Sequence, residues 1–140
     1  MPPALEDIIE EFAPCSNQEK LEFLLEFSDE LPELPARFLD DKNNTMEQVV
    51  ECQSPLFLAV EEEDGIVKLY FSAPPEAPTT RGFASILAQG LAGLTPQEIA
   101  QLDENIPDKL GLKQAISPLR LRGMSAMISR IKRKAKELDG

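Results

Sequence analysis

The chain contains no histidine and no tryptophan among its 140 residues, and it has only two cysteines. Without histidine it cannot hold a Ser-His-Asp triad, a Cys-His nucleophile pair or a histidine-ligated zinc ion. Two separate thiols among scattered carboxylates would also make a poor structural zinc site. We therefore expect no metal and no resident cofactor, and any cysteine chemistry must take its base from elsewhere, including from a partner protein.

The two cysteines, Cys15 and Cys52, allow at most one disulfide, and the sequence has no Cys-X-X-Cys motif of the thioredoxin type. The acidic start MPPALEDIIEEF does not have the pattern of a signal peptide. No apolar run approaches the roughly 20 residues that a membrane-spanning helix needs. We therefore expect a cytoplasmic protein with two free thiols, because the cytosol is reducing.

The net charge of −11 is unevenly distributed along the chain. Residues 1–64 contain 18 acidic and three basic residues, whereas residues 65–140 contain seven acidic and 11 basic residues. An acidic chain repels phosphate, so binding to nucleic acid is not expected. The acidic half is either an ordinary solvated surface or a surface that meets a basic partner, and composition leaves both open.

The length suits a single domain, 1–140, with one core. Apolar spacing predicts a first helix that ends near Pro14 and a second helix that begins at Ser16 or Asn17. The apolar face of the first carries Leu5, Ile8, Ile9 and Phe12; the inner face of the second is predicted to carry Leu21, Leu24, Leu25 and Leu31, with Phe23 and Phe27 beside it. LPELP (31–35) ends the second helix, and RFLDDKNNTME (37–47) is predicted as a loop.

The middle of the chain predicts a small antiparallel sheet. Asp64-Gly65, a strong hairpin signal, joins the apolar runs LFLAV and IVKLYF, and the segment around Val49 and Val50 is a candidate third strand. Three prolines in SAPPEAP end the sheet. Further helices are predicted from Thr79 or Thr80, from the capping box TPQE (95–98) and from SPLR (117–120). The fold class is therefore α+β, with about three antiparallel strands packed against helices.

Cys52 is the residue most open to two interpretations. A cysteine beside a strand is commonly a small buried hydrophobe. Its neighbours Glu51, Gln53, Ser54 and Pro55, however, favour a turn or loop, and loops often carry function. Glu51 would raise the thiol pKa by like charge, so the local sequence does not indicate an activated thiol. Cys15, at a helix end, is interpreted as a partly buried free thiol.

Two basic features of the last predicted helix also need an explanation. The run RIKRKAK (130–136) lies near the helix C-terminus, where cations complement the helix dipole, although it could instead dock an acidic partner. Arg120 and Arg122 lie near the helix start, where the dipole disfavours cations. Arg122 is interpreted as a surface residue, whereas Arg120 could reach a neighbouring loop or an anionic group.

Five segments in order give the chain a resemblance to the SufE family, the cysteine desulfuration proteins of iron–sulfur cluster assembly. They are NNTMEQVVECQSPLFLAV, the upstream LPELP, TTRGFASIL, LTPQEIA and SPLRLRGMSAMISRIKRKA. The resemblance covers nearly the whole chain. Two positions depart from the family's pattern: Glu51 stands where glycine is frequent, which adds a charge beside the thiol, and Phe57 stands where tryptophan is common.

The resemblance implies the α+β fold shared with IscU-type scaffolds, and a sulfur carrier with Cys52 as the persulfide-bearing residue. The implied partners are a pyridoxal-phosphate-dependent cysteine desulfurase of the SufS type, which the protein stimulates, and an iron–sulfur scaffold of the SufBCD type. Gln53, Ser54, Glu76 and Arg120 are possible supporting residues. The enzyme class is left open as sulfurtransferase-like persulfide transfer. Alternatives are a non-catalytic module that activates the desulfurase allosterically and an acidic adaptor unrelated to sulfur.

Overall fold

The computed structural model of the chain describes residues 2–39 and 46–139. A three-stranded antiparallel sheet lies between helices that precede and follow it, which confirms the predicted α+β class. In chain order the elements are α1 (Pro3–Phe12), α2 (Asn17–Asp29), α3 (Ala36–Leu39), β1 (Glu47–Gln48), a 3-10 helix (Val50–Cys52), β2 (Phe57–Glu63), β3 (Ile66–Ser72), α4 (Pro78–Gly90), α5 (Pro96–Ala100), α6 (Ile106–Lys109) and α7 (Pro118–Asp139).

Helix α2 begins with a capping box, as the sequence allowed. The Glu19 backbone N–H donates to Ser16 Oγ at 3.2 Å, and the Ser16 N–H donates to Glu19 Oε1 at 2.8 Å. The predicted inner face of this helix is wrong in part, because Leu21 and Leu25 are 37% and 47% exposed. The predicted Leu24 and Leu31 are buried, and Phe27 and Ser28 are buried with them, because the face of α2 that packs on α4 is rotated toward these two residues and away from Leu21 and Leu25.

A glycine in α4 permits this packing. A Cβ on Gly82 would lie 2.2 Å from the backbone carbonyl oxygen of Leu24, so no other residue fits without moving one helix. Arg81 then joins three elements: its Nε donates to the Ser28 carbonyl at 2.9 Å and its Nη1 to the Ala73 carbonyl at 2.6 Å. The N-terminal end of α4 is thereby fixed relative to the end of α2 and the segment after β3.

The sheet has the order β1-β2-β3, with Glu47 paired to Leu58 and Phe57 to Ser72. The predicted hairpin turn is confirmed: Asp64 and Gly65 both have positive φ, 54° and 82°, as a two-residue turn of the mirror-image type requires. The third strand lies earlier than predicted. It ends at Gln48, and Val50 belongs to the 3-10 helix, because the polar and proline-containing sequence that follows turns the chain away from β2.

Both faces of the sheet are covered. Leu58, Val67 and Phe71 face the main core that the long helices complete. On the other face, Phe38 of α3 packs against Ala59 and Tyr70, with the two ring centroids 4.9 Å apart. The segment 37–47 was predicted as a loop. Its first residues instead belong to α3, a single helical turn whose Phe38 side chain is buried. Residues 40–45 lie outside the described part of the chain.

The helices predicted after the sheet begin at or close to the expected residues. Helix α4 begins at Pro78, slightly before the predicted threonines, because proline suits the first helical position. The predicted capping box of α5, Thr95 with Glu98, is confirmed. Helix α7 begins at Pro118 as predicted and runs for 22 residues. Within residues 2–39 and 46–139, no helix combines the length and apolarity needed to cross a membrane.

Substitution of Gly82 tests the α2–α4 contact. Gly82→Ala should lower the free energy of unfolding by roughly 1–3 kcal/mol, because the added Cβ meets backbone that cannot rotate away. Gly90→Ala is the matched control, since its Cβ would approach at closest the movable Leu5 Cδ1, at 2.9 Å, and should cost less. Urea titration followed by circular dichroism measures both, and equal losses would contradict the close approach at Gly82.

Candidate functional site

Cys52 lies in a loop that is closed at its base. The Val49 N–H donates to the Leu56 carbonyl at 2.9 Å, and both side chains are fully buried. Between these anchors the chain projects outward, so that Val50 is 64% exposed and Gln53 and Pro55 are exposed as well. We call residues 50–55 the cysteine loop. Its base belongs to the core and its tip to the surface.

A tight turn gives the cysteine loop its shape. The Cys52 N–H donates to the Val49 carbonyl and the Gln53 N–H to the Val50 carbonyl, both at 3.1 Å. Gln53 has φ 56°, in the left-handed region that few residues other than glycine adopt. The reversal at Gln53 places Cys52 and Ser54 on the inner side of the loop, where both are half-buried. The sequence predicted a turn or loop here, and the structure confirms it.

Cys52 packs directly on helix α7. Its Sγ lies 3.6 Å from the Gly123 carbonyl oxygen, to which the thiol donates. A Cβ on residue 123 would lie 3.0 Å from both the Cα and the Sγ of Cys52, closer than side chains normally approach. Gly123 therefore leaves room for the cysteine in the middle of a helix, where glycine costs about 1 kcal/mol relative to alanine.

The surroundings of the thiol disfavour its ionised form. Burial, and after it the carboxylate of Glu51, raise the pKa of Cys52 to about 11, and the guanidinium of Arg130 partly opposes them. In this conformation very little thiolate forms at neutral pH. The thiol is therefore protonated in this conformation, and it would have to leave these surroundings, or gain a nearby cation, to act as a nucleophile.

Cys52 opens onto a cleft of about 510 Å³. The cleft is lined by the five residues named from the sequence as carrier and possible supporting residues, Cys52, Gln53, Ser54, Glu76 and Arg120, together with Ala77, Pro78, Thr79, Thr80, Ser117 and Leu119. These residues come from three separate parts of the chain. The fold therefore brings the sequence-predicted residues together in one cleft.

The cleft has a positive character on two sides. Residues 76–80 form the N-terminal end of α4 and residues 117–120 that of α7, and both helix dipoles present partial positive charge there. Arg120 adds a full charge and donates through Nη1 to Thr79 Oγ1 at 3.3 Å. The exposed Glu76 opposes them at the rim. The arrangement suits a small anionic group held close to Cys52.

Ser54 has a spare hydrogen-bonding group in this cleft. Its Oγ is buried from solvent and has no hydrogen-bond partner among the described residues. A buried hydroxyl is normally paired, so the Ser54 hydroxyl is an unsatisfied group two residues from Cys52, and a bound group would reach it only if the loop moved to expose it.

On the side of Glu51, the cysteine loop and β1 are joined to α7 by ion pairs. Arg130 Nε lies 2.8 Å from Glu47 Oε2, and Arg130 Nη2 lies 2.9 Å from Glu51 Oε1. Glu47 also pairs with Arg133 at 2.6 Å and with Lys134 at 3.2 Å. Three cations of the run 130–136 therefore hold the segment that carries the cysteine, in addition to any effect on the helix dipole.

Sequence reasoning missed Gly123, Glu47 and the role of Arg130. The signals were present: a glycine inside a strongly helical pattern needs a packing reason, and Arg130, Arg133 and Lys134 recur at the three- and four-residue spacing of one helix face. Gly123 and Arg130 are seven residues apart and share a face too. No pattern in the sequence indicates that this face of the helix packs against residues 47–52. Cys15 does not line the cleft; its thiol donates to the Glu11 carbonyl at 3.4 Å.

Comparison with known proteins places the whole chain in a set of related proteins. Residues 6–135 match the family model described as SufE, Fe-S metabolism associated domain. An uncharacterized SufE-like protein of Mycobacterium tuberculosis is 52% identical over 140 residues, covering 99% of this chain and 96% of that protein. SufE-like protein 1 of Arabidopsis thaliana, chloroplastic/mitochondrial, is 29% identical and covers 99% of this chain but 36% of its own length.

The fold also has a solved counterpart. The solution structure of a hypothetical protein from Thermus thermophilus superposes with a TM-score of 0.85 at 33% sequence identity, covering 100% of this chain and 99% of that one. The arrangement of helices and sheet described above is therefore shared with an independently determined structure.

The shielding of the Cys52 thiol can be tested by its alkylation with iodoacetamide, followed by peptide mass analysis. Because its pKa is raised to about 11, the rate in the native protein should still be rising above pH 9, where a thiol with an ordinary pKa of about 8.5 has begun to level off. The same cysteine in denaturant is the control. Native and denatured profiles that level off at the same pH would contradict the burial described here.

Proposed function

The chain belongs to the SufE family, and we propose that it accepts sulfur on Cys52 from the persulfide of a pyridoxal-phosphate-dependent cysteine desulfurase of the SufS type. It stimulates that enzyme and passes the sulfur to an iron–sulfur scaffold of the SufBCD type. The observation that carries the proposal is the position of Cys52, on a loop at the mouth of the cleft that Gln53, Ser54, Glu76 and Arg120 also line. The cytoplasm remains the predicted location.

The transfer is a thiol exchange that needs no metal and no oxidant. The Cys52 thiolate attacks the outer sulfur of the desulfurase persulfide; a new S–S bond forms on Cys52, and the S–S bond to the desulfurase cysteine breaks. The desulfurase cysteine leaves as a thiolate, and the Cys52 proton passes to a base. With no histidine in this chain, we propose that the desulfurase supplies that base, or the cation that lowers the thiol pKa.

The half-burial of Cys52 implies two states of the cysteine loop. In the free protein the thiol faces α7, protonated and shielded. On docking, the loop extends so that Cys52 enters the desulfurase site. The exposed tip and the buried base of the loop support this motion, because residues 50–55 can move while the Val49–Leu56 closure stays intact.

The cleft residues are proposed to act after the transfer. An ionised persulfide on Cys52 would meet the positive side formed by Arg120 and the two helix N-termini, and the unpaired Ser54 hydroxyl could donate to its outer sulfur. The left-handed backbone at Gln53 turns the chain so that Cys52 can reach the cleft. The carboxylate of Glu76 at the rim repels the anionic persulfide, which weakens its binding in the cleft and favours its release.

The decisive test is an intact mass measurement after mixing with a cysteine desulfurase, pyridoxal phosphate and cysteine, in the absence of reductant. A mass gain of one or more sulfur atoms that peptide analysis maps to Cys52 is expected for the wild type and for Cys15→Ala. Cys52→Ala should gain no sulfur at that peptide. Loading of Cys15 in place of Cys52 would overturn the assignment.

One observation favours a second candidate function. A protonated, half-buried thiol is also typical of a cysteine whose only role is to pack in the core. In that case the protein would activate the desulfurase by binding alone. Cys52→Ala separates the two. A carrier loses stimulation but still docks, whereas a binding module keeps stimulation close to that of the wild type. Failure to bind any desulfurase would favour the unrelated adaptor.

Arg120 allows a test of the cleft itself. Arg120→Ala should lower the amount of persulfide retained on Cys52 by about threefold or more, because a charge-assisted contact is lost, while docking to the desulfurase is kept. Arg122→Ala is the matched control: it removes the same charge from an exposed position two residues further along α7. Equal persulfide retention in the two variants would remove Arg120 from the site.

A further inference from the structure

The ion pairs on the Glu51 side of the cysteine loop do not take part in the thiol exchange, and yet they hold the segment that carries the thiol. Arg130 uses two different nitrogen atoms for two carboxylates: Nε for Glu47, which precedes the loop, and Nη2 for Glu51, which directly precedes Cys52. Its side chain is only 17% exposed. A partly desolvated guanidinium shared in this way fixes the spacing between β1, the loop and α7.

The two carboxylates are not held equally. Glu47 has two further cationic partners, Arg133 and Lys134, so it stays bound to α7 when its ion pair with Arg130 breaks. For Glu51, Arg130 is the ion-pair partner among the described residues. The side chain of Glu51 is 36% exposed, although Oε1, the oxygen that faces Arg130, is buried, so a cation from outside can approach Glu51 only from its open side. The Glu47 contact is therefore the fixed one, and the Glu51 contact is the one that can open.

We propose that the Glu51–Arg130 ion pair is a latch that keeps the cysteine loop closed on α7, and that Arg130 is a positioning residue for Cys52. While the pair is formed, Cys52 is held against Gly123. When the pair opens, residues 50–55 are free to swing out on the anchors Val49 and Leu56. The proposal rests on the carrier function and deepens it, because it names what a docking desulfurase must break: a cation of that partner would take Glu51 from Arg130.

The pair stays formed over a wide pH range. The pKa of Glu51 lies below its usual value, because its own backbone N–H and the guanidinium of Arg130, 2.9 Å from Oε1, both favour the carboxylate. Competition by a partner's charge or by salt, rather than protonation, is therefore what opens the latch near neutral pH.

A latch and a simple charge effect predict opposite results for one variant. If Arg130 acted only through its charge on the thiol, Arg130→Gln would slow the alkylation of Cys52, because a cation that favours the thiolate is lost and Glu51 is left uncompensated. If the pair is a latch, Arg130→Gln speeds alkylation, because the loop opens and the thiol leaves its buried surroundings. Glu51→Gln speeds alkylation in either case.

The experiment measures iodoacetamide alkylation of Cys52 at pH 8 in a Cys15→Ser background, with urea titration to verify folding. We expect Arg130→Gln and Glu51→Gln each to raise the rate at least about threefold. The double variant should alkylate at nearly the same rate as either single variant, because each single substitution already breaks the same ion pair. Arg130→Lys should restore a slow rate. Lys136→Gln, which removes the same charge two turns further along α7, should leave the rate within about twofold of the background protein.

A slower rate for Arg130→Gln, or effects that simply add in the double variant, would overturn the latch. If Arg130→Gln does not fold, amide hydrogen exchange in Glu51→Gln decides the matter, because exchange does not depend on the thiol pKa. The Cys52 and Gln53 N–H groups, which donate to the Val49 and Val50 carbonyls, should exchange faster than in the background protein, and equal exchange would contradict the proposal. No desulfurase is present in these measurements. A failed latch therefore leaves the persulfide test untouched, and a failed persulfide test leaves the latch standing.

Discussion

The cysteine loop can lie against α7 only because residue 123 has no side chain. That single contact decides how deeply Cys52 is buried, and burial in turn is the largest cause of its raised pKa. It also sets the direction of the loop, so that Cys52 faces a cleft between the N-terminal ends of α4 and α7. Arg130 lies seven residues after Gly123, on the same face of the helix, and pairs with the carboxylate next to the thiol. One face of one helix therefore supplies the space, the shielding and the ion pair.

The absence of histidine acquires a structural meaning in this context. A resident base beside Cys52 would keep a fraction of the thiol ionised at all times. In this chain the neighbouring groups are a carboxylate, a shared guanidinium and a backbone carbonyl, and the guanidinium only partly offsets the burial and the carboxylate that keep the thiol protonated. In the proposed function the group that activates the thiol therefore belongs to the partner protein and not to this chain.

Sequence patterns predicted the elements well where the signal was local. The hairpin at Asp64-Gly65, the helix start at Ser16, the capping box at Thr95 and the turn around Cys52 each depend on a few adjacent residues, and each is present. The errors have a common physical origin. Leu21 and Leu25 were placed inward because leucine recurs there at helical spacing, but the close approach at Gly82 decides which face of α2 is buried. Glu47, Arg130 and Gly123 depend on contacts between distant parts of the chain, which no local pattern contains.

The raised pKa of Cys52 also bears on damage by oxidants. Peroxide attacks the thiolate, and the sulfinic acid that forms by further oxidation is not returned to the thiol by ordinary reductants. A cysteine that stays protonated and half-buried in the free protein reacts slowly with peroxide. Under the proposed carrier function, the period of risk would be confined to the short interval in which the loop is open, so the packing that delays the transfer would also preserve the residue between turnovers.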